Sequence, residues 1–227
     1  MLAALTAYVL GFVGGLRHAL EPDHLAAVST LVAGQKSTRT TVRYAAAWGA
    51  GHAVMLIAVG GTLALFRTEL PKFASDMFEL VVAMALVALG IRGFFQVGQI
   101  SALSAKVAHR HAGDDDYAHV HGARQLESGR DRLPFAIGLI HGLAGSGAAA
   151  ALVAARTPSA AFALTFIAVF AVGAAAGMSA LAGLLGWPLA RAMRSTRALP
   201  VLVGLSASVS LGIGLWWAWT NIAHLVA

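Results

Sequence analysis

The sequence predicts an all-α integral membrane protein with six transmembrane helices, arranged as two inverted three-helix repeats. Of its 227 residues, 58% are hydrophobic and only 11% are charged, whereas soluble domains contain about 45–50% apolar and about 25% charged residues. Six apolar stretches and motifs shared between the two halves complete the prediction. The chain has no cysteine, which excludes disulfides, thiolate metal sites and iron–sulfur clusters.

The six apolar stretches are the predicted spans, because crossing a bilayer core requires about 20 residues of helix. We expect helices rather than strands, since lipid offers no hydrogen-bond partner to an open strand edge. The predicted spans cover residues 2–34, 42–66, 77–97, 133–155, 159–189 and 199–226.

The orientation is predicted from Lys and Arg, which are enriched in cytoplasmic loops. The first, third and fifth loops carry eleven of these residues, the second and fourth loops carry three, and the two termini carry none. We therefore expect a multi-pass protein of the cell membrane with both termini outside and the long third loop in the cytoplasm.

Short motifs recur between the two halves of the chain. Because each half has three spans, the second copy must enter the membrane in the opposite sense, an arrangement typical of secondary transporters. We predict one repeat over residues 1–100, a linker over 101–132 and a second repeat over 133–227. The matching segments are 15–20 with 138–143 at an offset of 123, 89–91 with 211–213 at an offset of 122 and, more weakly, 48–51 with 174–177 at an offset of 126.

Ionisable residues within the first span carry the functional prediction. Each costs about 2.5–3.5 kcal/mol or more at the bilayer centre, so such residues indicate function. This span holds five of them, and apolar sequence continues beyond the group, so a charged helix end at the membrane surface does not explain them. They are Arg17, His18, Glu21, Asp23 and His24.

Pro22 predicts a break in the first helix. A straight helix, at 100° per residue, would direct His18, Asp23 and His24 in three directions. Proline removes a backbone hydrogen bond and clashes with the carbonyl four residues earlier, that of His18. We therefore expect the break to turn Asp23 and His24 toward His18 and to free that carbonyl. Two imidazoles and one carboxylate suit Ni²⁺, Co²⁺, Cu²⁺ or Zn²⁺ better than Mg²⁺ or Ca²⁺.

Two histidines in other spans extend the predicted site. His52 lies within the second span, and we predict it as a fourth metal ligand because it shares a bundle with the cluster. His141 occupies the position that corresponds to His18 in the second half. It is a candidate ligand, and a role in supporting a ligand or a gate remains open.

Two motifs resemble those of a known family. Residues 17–24, RHALEPDH, resemble the His-x4-Asp-His signature of the nickel/cobalt transporter (NiCoT) family, and residues 51–54, GHAV, resemble its second motif. The resemblance implies transport of Ni²⁺, with Co²⁺ as a further candidate, and an essential role for His18, Asp23 and His24. The best-known members have eight spans and later acidic motifs without a match here, which implies a short six-span branch of the wider superfamily. That superfamily includes both uptake and efflux proteins.

These observations predict a secondary transporter and not an enzyme, with uptake of Ni²⁺ favoured and efflux as the alternative. The expected partners are a divalent transition-metal ion and the lipid bilayer, and a homo-oligomer is allowed. We expect no nucleic-acid partner, because the basic residues are scattered along an apolar chain. No prosthetic group is expected, since the metal ion is the substrate.

The linker is rich in histidine and aspartate, and three other functions compete with transport. Within 101–132, four histidines flank an acidic run over 114–116, a composition that binds divalent metal loosely or forms a solvated connection. An intramembrane serine protease would use Ser146, but the last span offers only His224 as a base. A membrane di-metal oxidase would need several His-rich motifs, and a metal sensor would not need an inverted repeat. The linker histidines are His109, His111, His119 and His121.

Overall fold

The computed structural model describes residues 2–32, 37–108, 132–142, 150, 153, 156–157, 159–192 and 198–226. Over these residues the chain is all-α, without strands. The helices are α1 Leu2–His18, α2 Pro22–Val32, α3 Thr38–Phe66, α4 Lys72–Ala108, α5 Arg132–His141, α6 Ala160–Ala192 and α7 Ala198–Val226.

Four of these helices, α3, α4, α6 and α7, contain segments long and apolar enough to cross a membrane on their own. The segments are Thr38–Phe66, Lys72–Ile100, Ala160–Gly186 and Ala198–Ala223. Helices α1 and α2 together form a fifth candidate crossing that is bent by 57°. The chain is therefore an α-helical membrane protein, as predicted. The fourth of the six predicted spans is described only along α5 and at scattered positions after it.

The break between α1 and α2 lies where the sequence predicts it. Pro22 is the first residue of α2, a position where its missing N–H costs no helical hydrogen bond. Asp23 follows in the first turn, where the positive end of the helix dipole favours a carboxylate. The expectation that the carbonyl of His18 becomes free is wrong, because the N–H of Glu21 donates a hydrogen bond of 3.0 Å to it. The tight turn between the helices thus satisfies this group.

Helix α3 begins and ends with recognisable caps. Ser37 precedes its first residue, and the Ser37 hydroxyl accepts a hydrogen bond of 3.2 Å from the N–H of Thr40. At the other end Arg67 adopts a left-handed conformation with φ 53°, which closes the last turn. Helix α4 then continues past residue 101 into the segment predicted as a linker. Residues 109–131 of that linker lie outside the described residues.

The bundle is held together by extensive packing of α4 on α7, α3 on α6, α1 on α6 and α3 on α5. Leu86, Ile167 and Met178 are fully buried between these helices. Large apolar side chains such as Phe95 and Trp219 face outward, with 70% and 74% of their surface exposed. Apolar side chains exposed in such number are expected where a protein surface contacts lipid rather than water.

Helices α3 and α5 approach each other closely because a glycine on each helix lies against the backbone of the other helix. A Cβ atom at Gly51 would overlap the carbonyl oxygen of Phe135, and one at Gly138 would overlap the carbonyl oxygen of Trp48. Small residues of this kind let membrane helices pack in direct backbone contact. The residue after Gly51 is His52, so this contact helps to position a predicted ligand.

Helix α2 is attached to α7 by buried hydroxyl groups. The side chains of Thr30 and Ser210 are hydrogen-bonded to each other. Ser210 also donates to the carbonyl of Ala26 at 3.0 Å, and Thr30 lies within hydrogen-bond distance of the carbonyl of Ser206 at 3.2 Å. Interhelical hydrogen bonds of this kind fix one helix against another inside a membrane.

Candidate metal site

Four buried histidines converge at the break in the first span. His18 ends α1, His24 lies in the first turn of α2, His52 lies in the middle of α3, and His141 ends α5. Each of them is at most 1% exposed. The centroid of the His24 ring lies 4.4 Å from that of His18, 5.2 Å from that of His52 and 5.9 Å from that of His141. The four histidines come from four different helices, so long-range packing creates the site.

Three of the histidines form a group with the geometry of a metal site. His18, His24 and His52 each offer a ring nitrogen, and these nitrogens all lie within 4.8 Å of one another; we call this group the imidazole cluster. The Nε2 atoms of His18 and His52 are 3.1 Å apart. Two nitrogens bound at about 2.1 Å to one ion, roughly at right angles, are separated by about 3 Å. An ion bound here would replace the proton that the two imidazoles now share.

A second group overlaps the first and is richer in oxygen. Glu21, Asp23 and His24 also offer ligand atoms that lie within 4.8 Å of one another; we call this group the carboxylate cluster. Asp23 therefore groups with Glu21 and His24, and not with all three members of the imidazole cluster as the sequence-based ligand set implies. The Oε2 atom of Glu21 also lies 3.2 Å from Nδ1 of His18, so it contacts both groups.

Several polar atoms of the site are buried without a hydrogen-bond partner. They include Oδ2 of Asp23 and both ring nitrogens of His24. Oδ2 of Asp23 lies 3.0 Å from Nδ1 of His24, so these two atoms contact each other. Buried polar groups are almost always hydrogen-bonded in native proteins, and an exception calls for an explanation such as a bound ion. These atoms are therefore suited to receive a cation.

His141 is oriented so that one ring nitrogen can act as a ligand. Its Nδ1 lies 3.1 Å from the carbonyl oxygen of Ile137, and because a carbonyl only accepts hydrogen bonds, Nδ1 must carry the proton. In the neutral ring Nε2 then holds the lone pair, and Nε2 is buried without a partner. A backbone carbonyl that fixes the tautomer in this way is common for metal-binding histidines. His141 nevertheless lies outside both clusters.

Two aromatic rings that were not predicted from the sequence contact the histidines. Trp48 is fully buried, with ring centroids 5.4 Å from His24 and 5.8 Å from His141. Phe170 of α6 lies 5.6 Å from His18. Trp48 precedes His52 by four residues, a spacing that places both on one helix face, and this signal could have found it. Phe170 carries no comparable signal.

A cavity of about 640 Å³ reaches the site from one side. His18, Glu21 and Arg17 contribute polar groups to a lining that is otherwise mainly apolar. The side chain of Glu21 is 28% exposed, whereas those of Asp23 and His24 are 3% and 0% exposed. Glu21 is therefore the carboxylate that an ion in this cavity would meet first.

The structure does not describe the side chains of the remaining predicted functional residues. The linker histidines and Ser146 are not among the described residues, and for His224 only the backbone, near the end of α7, is described.

Comparison with known proteins gives the family of the chain. It is 31% identical over 215 residues to the urease accessory protein UreH of Bacillus sp. (strain TB-90), a match that covers 93% of this chain and 90% of that protein. The chain belongs to the UreH family. It is also 26% identical over 230 residues to the chloroplast protein FOR GROWTH AND FERTILITY 1 of Arabidopsis thaliana. That match covers 93% of this chain but only 58% of the plant protein.

The chain matches no protein-family model and no solved structure. The match with the Bacillus protein extends over nearly the full length of both chains. The resemblance to nickel/cobalt transporters is thereby supported at the level of the family, but not for a six-span branch.

Proposed function

We propose that this UreH-family protein is a secondary transporter that moves Ni²⁺, and also Co²⁺, across the cytoplasmic membrane, with uptake as the favoured direction. One observation carries the proposal. Three buried imidazoles from two spans meet at a helix break within the membrane-crossing bundle. Transporters commonly place their ion sites at such discontinuous helices, and imidazole favours borderline metals over Mg²⁺ and Ca²⁺.

The bound ion would be held by His18, His24 and His52, with Asp23 and His141 at its margin. The ion loses water as it enters, and imidazole nitrogens replace that water. The carboxylates of Asp23 and Glu21 offset the charge of a divalent ion, although the guanidinium of Arg17 lines the same cavity and adds one positive charge beside Glu21. Because metal and protons compete for the same nitrogens and oxygens, protonation would favour release.

The Bacillus relative is named as an accessory protein of urease. This name supports a role in serving an enzyme and not in catalysis.

An inverted repeat is part of the proposal, and matching glycine contacts support it. Gly15 of α1 lies against the carbonyl oxygen of Phe170, and Gly138 of α5 lies against that of Trp48. Gly138 follows Gly15 by 123 residues, and Phe170 follows Trp48 by 122. The contact of α1 with α6 therefore corresponds to the contact of α5 with α3.

A second pair of contacts supports the same correspondence. Gly51 of α3 lies against the carbonyl oxygen of Phe135, and Gly173 of α6 lies against that of Phe12. Both partners are again offset, by 122 and 123 residues. These contacts favour an offset of 122 between the second and fifth spans over the offset of 126 suggested by the sequence. We propose repeats over 1–100 and 133–227, joined by the linker over 101–132.

The test is uptake of radiolabelled Ni²⁺ into vesicles that contain the full chain in a known orientation. His18→Ala, Asp23→Asn and His24→Ala are each expected to lower the initial rate at least about tenfold, the usual minimum for losing a metal contact. Co²⁺ is expected to compete, and Mg²⁺ is not expected to accumulate. Comparing the two vesicle orientations decides between uptake and efflux.

His224→Ala serves as the matched control, because it removes a histidine near the end of α7 that is not among the predicted ligands. It should transport Ni²⁺ like the wild type. Wild-type rates in all three site variants would contradict the proposed site, and a wild-type chain that moves no Ni²⁺ in either direction would contradict the function.

A further inference from the structure

The imidazole cluster and the carboxylate cluster share a single residue, His24. Their other members differ in chemistry, since His18 and His52 offer nitrogen whereas Glu21 and Asp23 offer oxygen. Both ring nitrogens of His24 are buried and lack hydrogen-bond partners. A neutral imidazole has one lone pair, so His24 can offer an ion either Nδ1 or Nε2, one at a time, with its proton on the other nitrogen.

The two clusters also differ in their access to the cavity. Glu21 is the most exposed member of either cluster, at 28%, and it lines the cavity. His18 of the imidazole cluster also lines the cavity but is only 1% exposed, and His24 and His52 are fully buried. An ion that arrives from the cavity can thus reach a carboxylate before it has lost all of its water, and it can reach His52 only after desolvation.

The carboxylate cluster is more than a pair of acidic side chains. Asp23 is 3% exposed, and its Oδ2 atom has no hydrogen-bond partner. That atom lies 3.0 Å from Nδ1 of His24, which is also without a hydrogen-bond partner. A buried acceptor and a buried ring nitrogen therefore lie side by side, and Glu21 of the same group lines the cavity.

We propose that the transported ion occupies two successive positions, an outer one at the carboxylate cluster and an inner one at the imidazole cluster, with His24 as the ligand common to both. This inference rests on the proposed transport function and assigns Glu21 as an entry ligand. Carboxylates accept hard, partly hydrated ions such as Mn²⁺ or Mg²⁺ as well as Ni²⁺. Imidazoles favour Ni²⁺ and Co²⁺. The outer position captures divalent ions broadly, and the inner position selects among them.

Two single variants separate the positions. Mn²⁺ is the probe for the outer position, and its binding is measured as the loss of the electron paramagnetic resonance signal of the free ion. Ni²⁺ is the probe for the inner position, and its binding is measured by equilibrium dialysis. Both are measured on the full chain in detergent. Glu21→Gln should weaken Mn²⁺ binding about tenfold or more and change Ni²⁺ affinity less than about threefold. His52→Ala should do the reverse, since ligand-shell changes cost about 10–100-fold in affinity.

Three controls make the result specific. Glu69→Gln removes an exposed carboxylate that is paired with Arg156 at 2.9 Å and belongs to neither cluster, and it should change neither affinity. Glu21→Asp keeps a carboxylate at the entry and should retain Mn²⁺ binding within about threefold, well short of the loss expected for a missing metal contact. Unfolding temperatures near that of the wild type show that Glu21→Gln and His52→Ala are folded.

Opposite effects of Glu21→Gln and His52→Ala on the two probes support two positions. If each variant weakens Mn²⁺ and Ni²⁺ binding in parallel, or if Glu21→Gln leaves Mn²⁺ binding unchanged, the inference is overturned. A wild-type chain that shows the two binding classes but carries no Ni²⁺ across vesicles would contradict the proposed transport and still support the two positions.

Discussion

The contact between α3 and α5 gives the sharpest prediction. Substituting Gly51 by alanine places a Cβ atom on the carbonyl oxygen of Phe135 and 3.0 Å from the backbone nitrogen of Leu139. Both obstacles are backbone atoms of α5, which cannot rotate away as a side chain could. Ordinary contact between such atoms requires about 3.5–4.0 Å, so the two helices must separate by on the order of 1 Å.

That displacement moves His52, which is the next residue along α3 and whose Nε2 is 3.1 Å from Nε2 of His18. Overpacking of this kind costs about 1–3 kcal/mol in stability, and misplacing a ligand costs about 10–100-fold in metal affinity. We therefore expect Gly51→Ala to lower both the unfolding temperature in detergent and the rate of Ni²⁺ uptake into vesicles, the latter at least about tenfold.

Gly61→Ala is the matched control on the same helix. Among the described residues its Cβ would meet Cδ2 of Leu164, at 3.2 Å, and that atom is the end of a flexible side chain. Both substitutions raise helix propensity equally, so the difference between them isolates the backbone clash. If Gly51→Ala unfolds and transports like Gly61→Ala, the proposed dependence of the site on the close approach of α3 and α5 is refuted.

Three further predictions concern the groups around the site. Ser210→Ala should lower the free energy of unfolding by about 1 kcal/mol, because it removes the hydrogen bond to the carbonyl of Ala26. Chemical denaturation measures this loss. The control variant is Ser208→Ala, which removes an exposed hydroxyl that is bonded within its own helix. Ni²⁺ should quench the fluorescence of Trp48, which lies 5.4 Å from His24, so Trp48→Phe should remove the metal-sensitive part of the emission; equal quenching in this variant would contradict the assignment. His141→Phe keeps an aromatic ring but loses the Nε2 ligand, and it should slow Ni²⁺ uptake about tenfold without lowering the unfolding temperature, whereas an unchanged rate would exclude a role in transport.

Hydropathy and proline position predicted the helices and the helix break, because these features depend on interactions between residues close together in the sequence. The apolar stretches predicted the long helices, and Pro22 predicted the break between α1 and α2. The same rules could not give the state of the His18 carbonyl, because a tight turn supplies a donor that helix geometry alone does not suggest. The length of α4 was likewise underestimated, since its last turns carry polar residues that a hydropathy pattern assigns to a loop.

The arrangement of the candidate site depended on contacts that sequence spacing does not encode. Spacing predicted the histidines and Asp23 as one ligand set, and the structure adds that Asp23 lies in one group with Glu21 and His24. The approach of His141 to within 5.9 Å of His24 and the position of Trp48 beside both rings follow from helix packing. Backbone contacts at glycines determine such distances, and the sequence does not show which residue a given glycine will contact.

The two halves of the bent span are attached to different neighbours, since α1 packs on α6 whereas α2 is bonded through Thr30 to α7. Any sliding of α6 relative to α7 must therefore be absorbed at the short turn between α1 and α2. His18 lies on one side of that turn and His24 on the other, so the same sliding changes the distance between two proposed ligands. In the proposed site, affinity for the ion thus depends on the relative position of two helices that supply none of its four histidines.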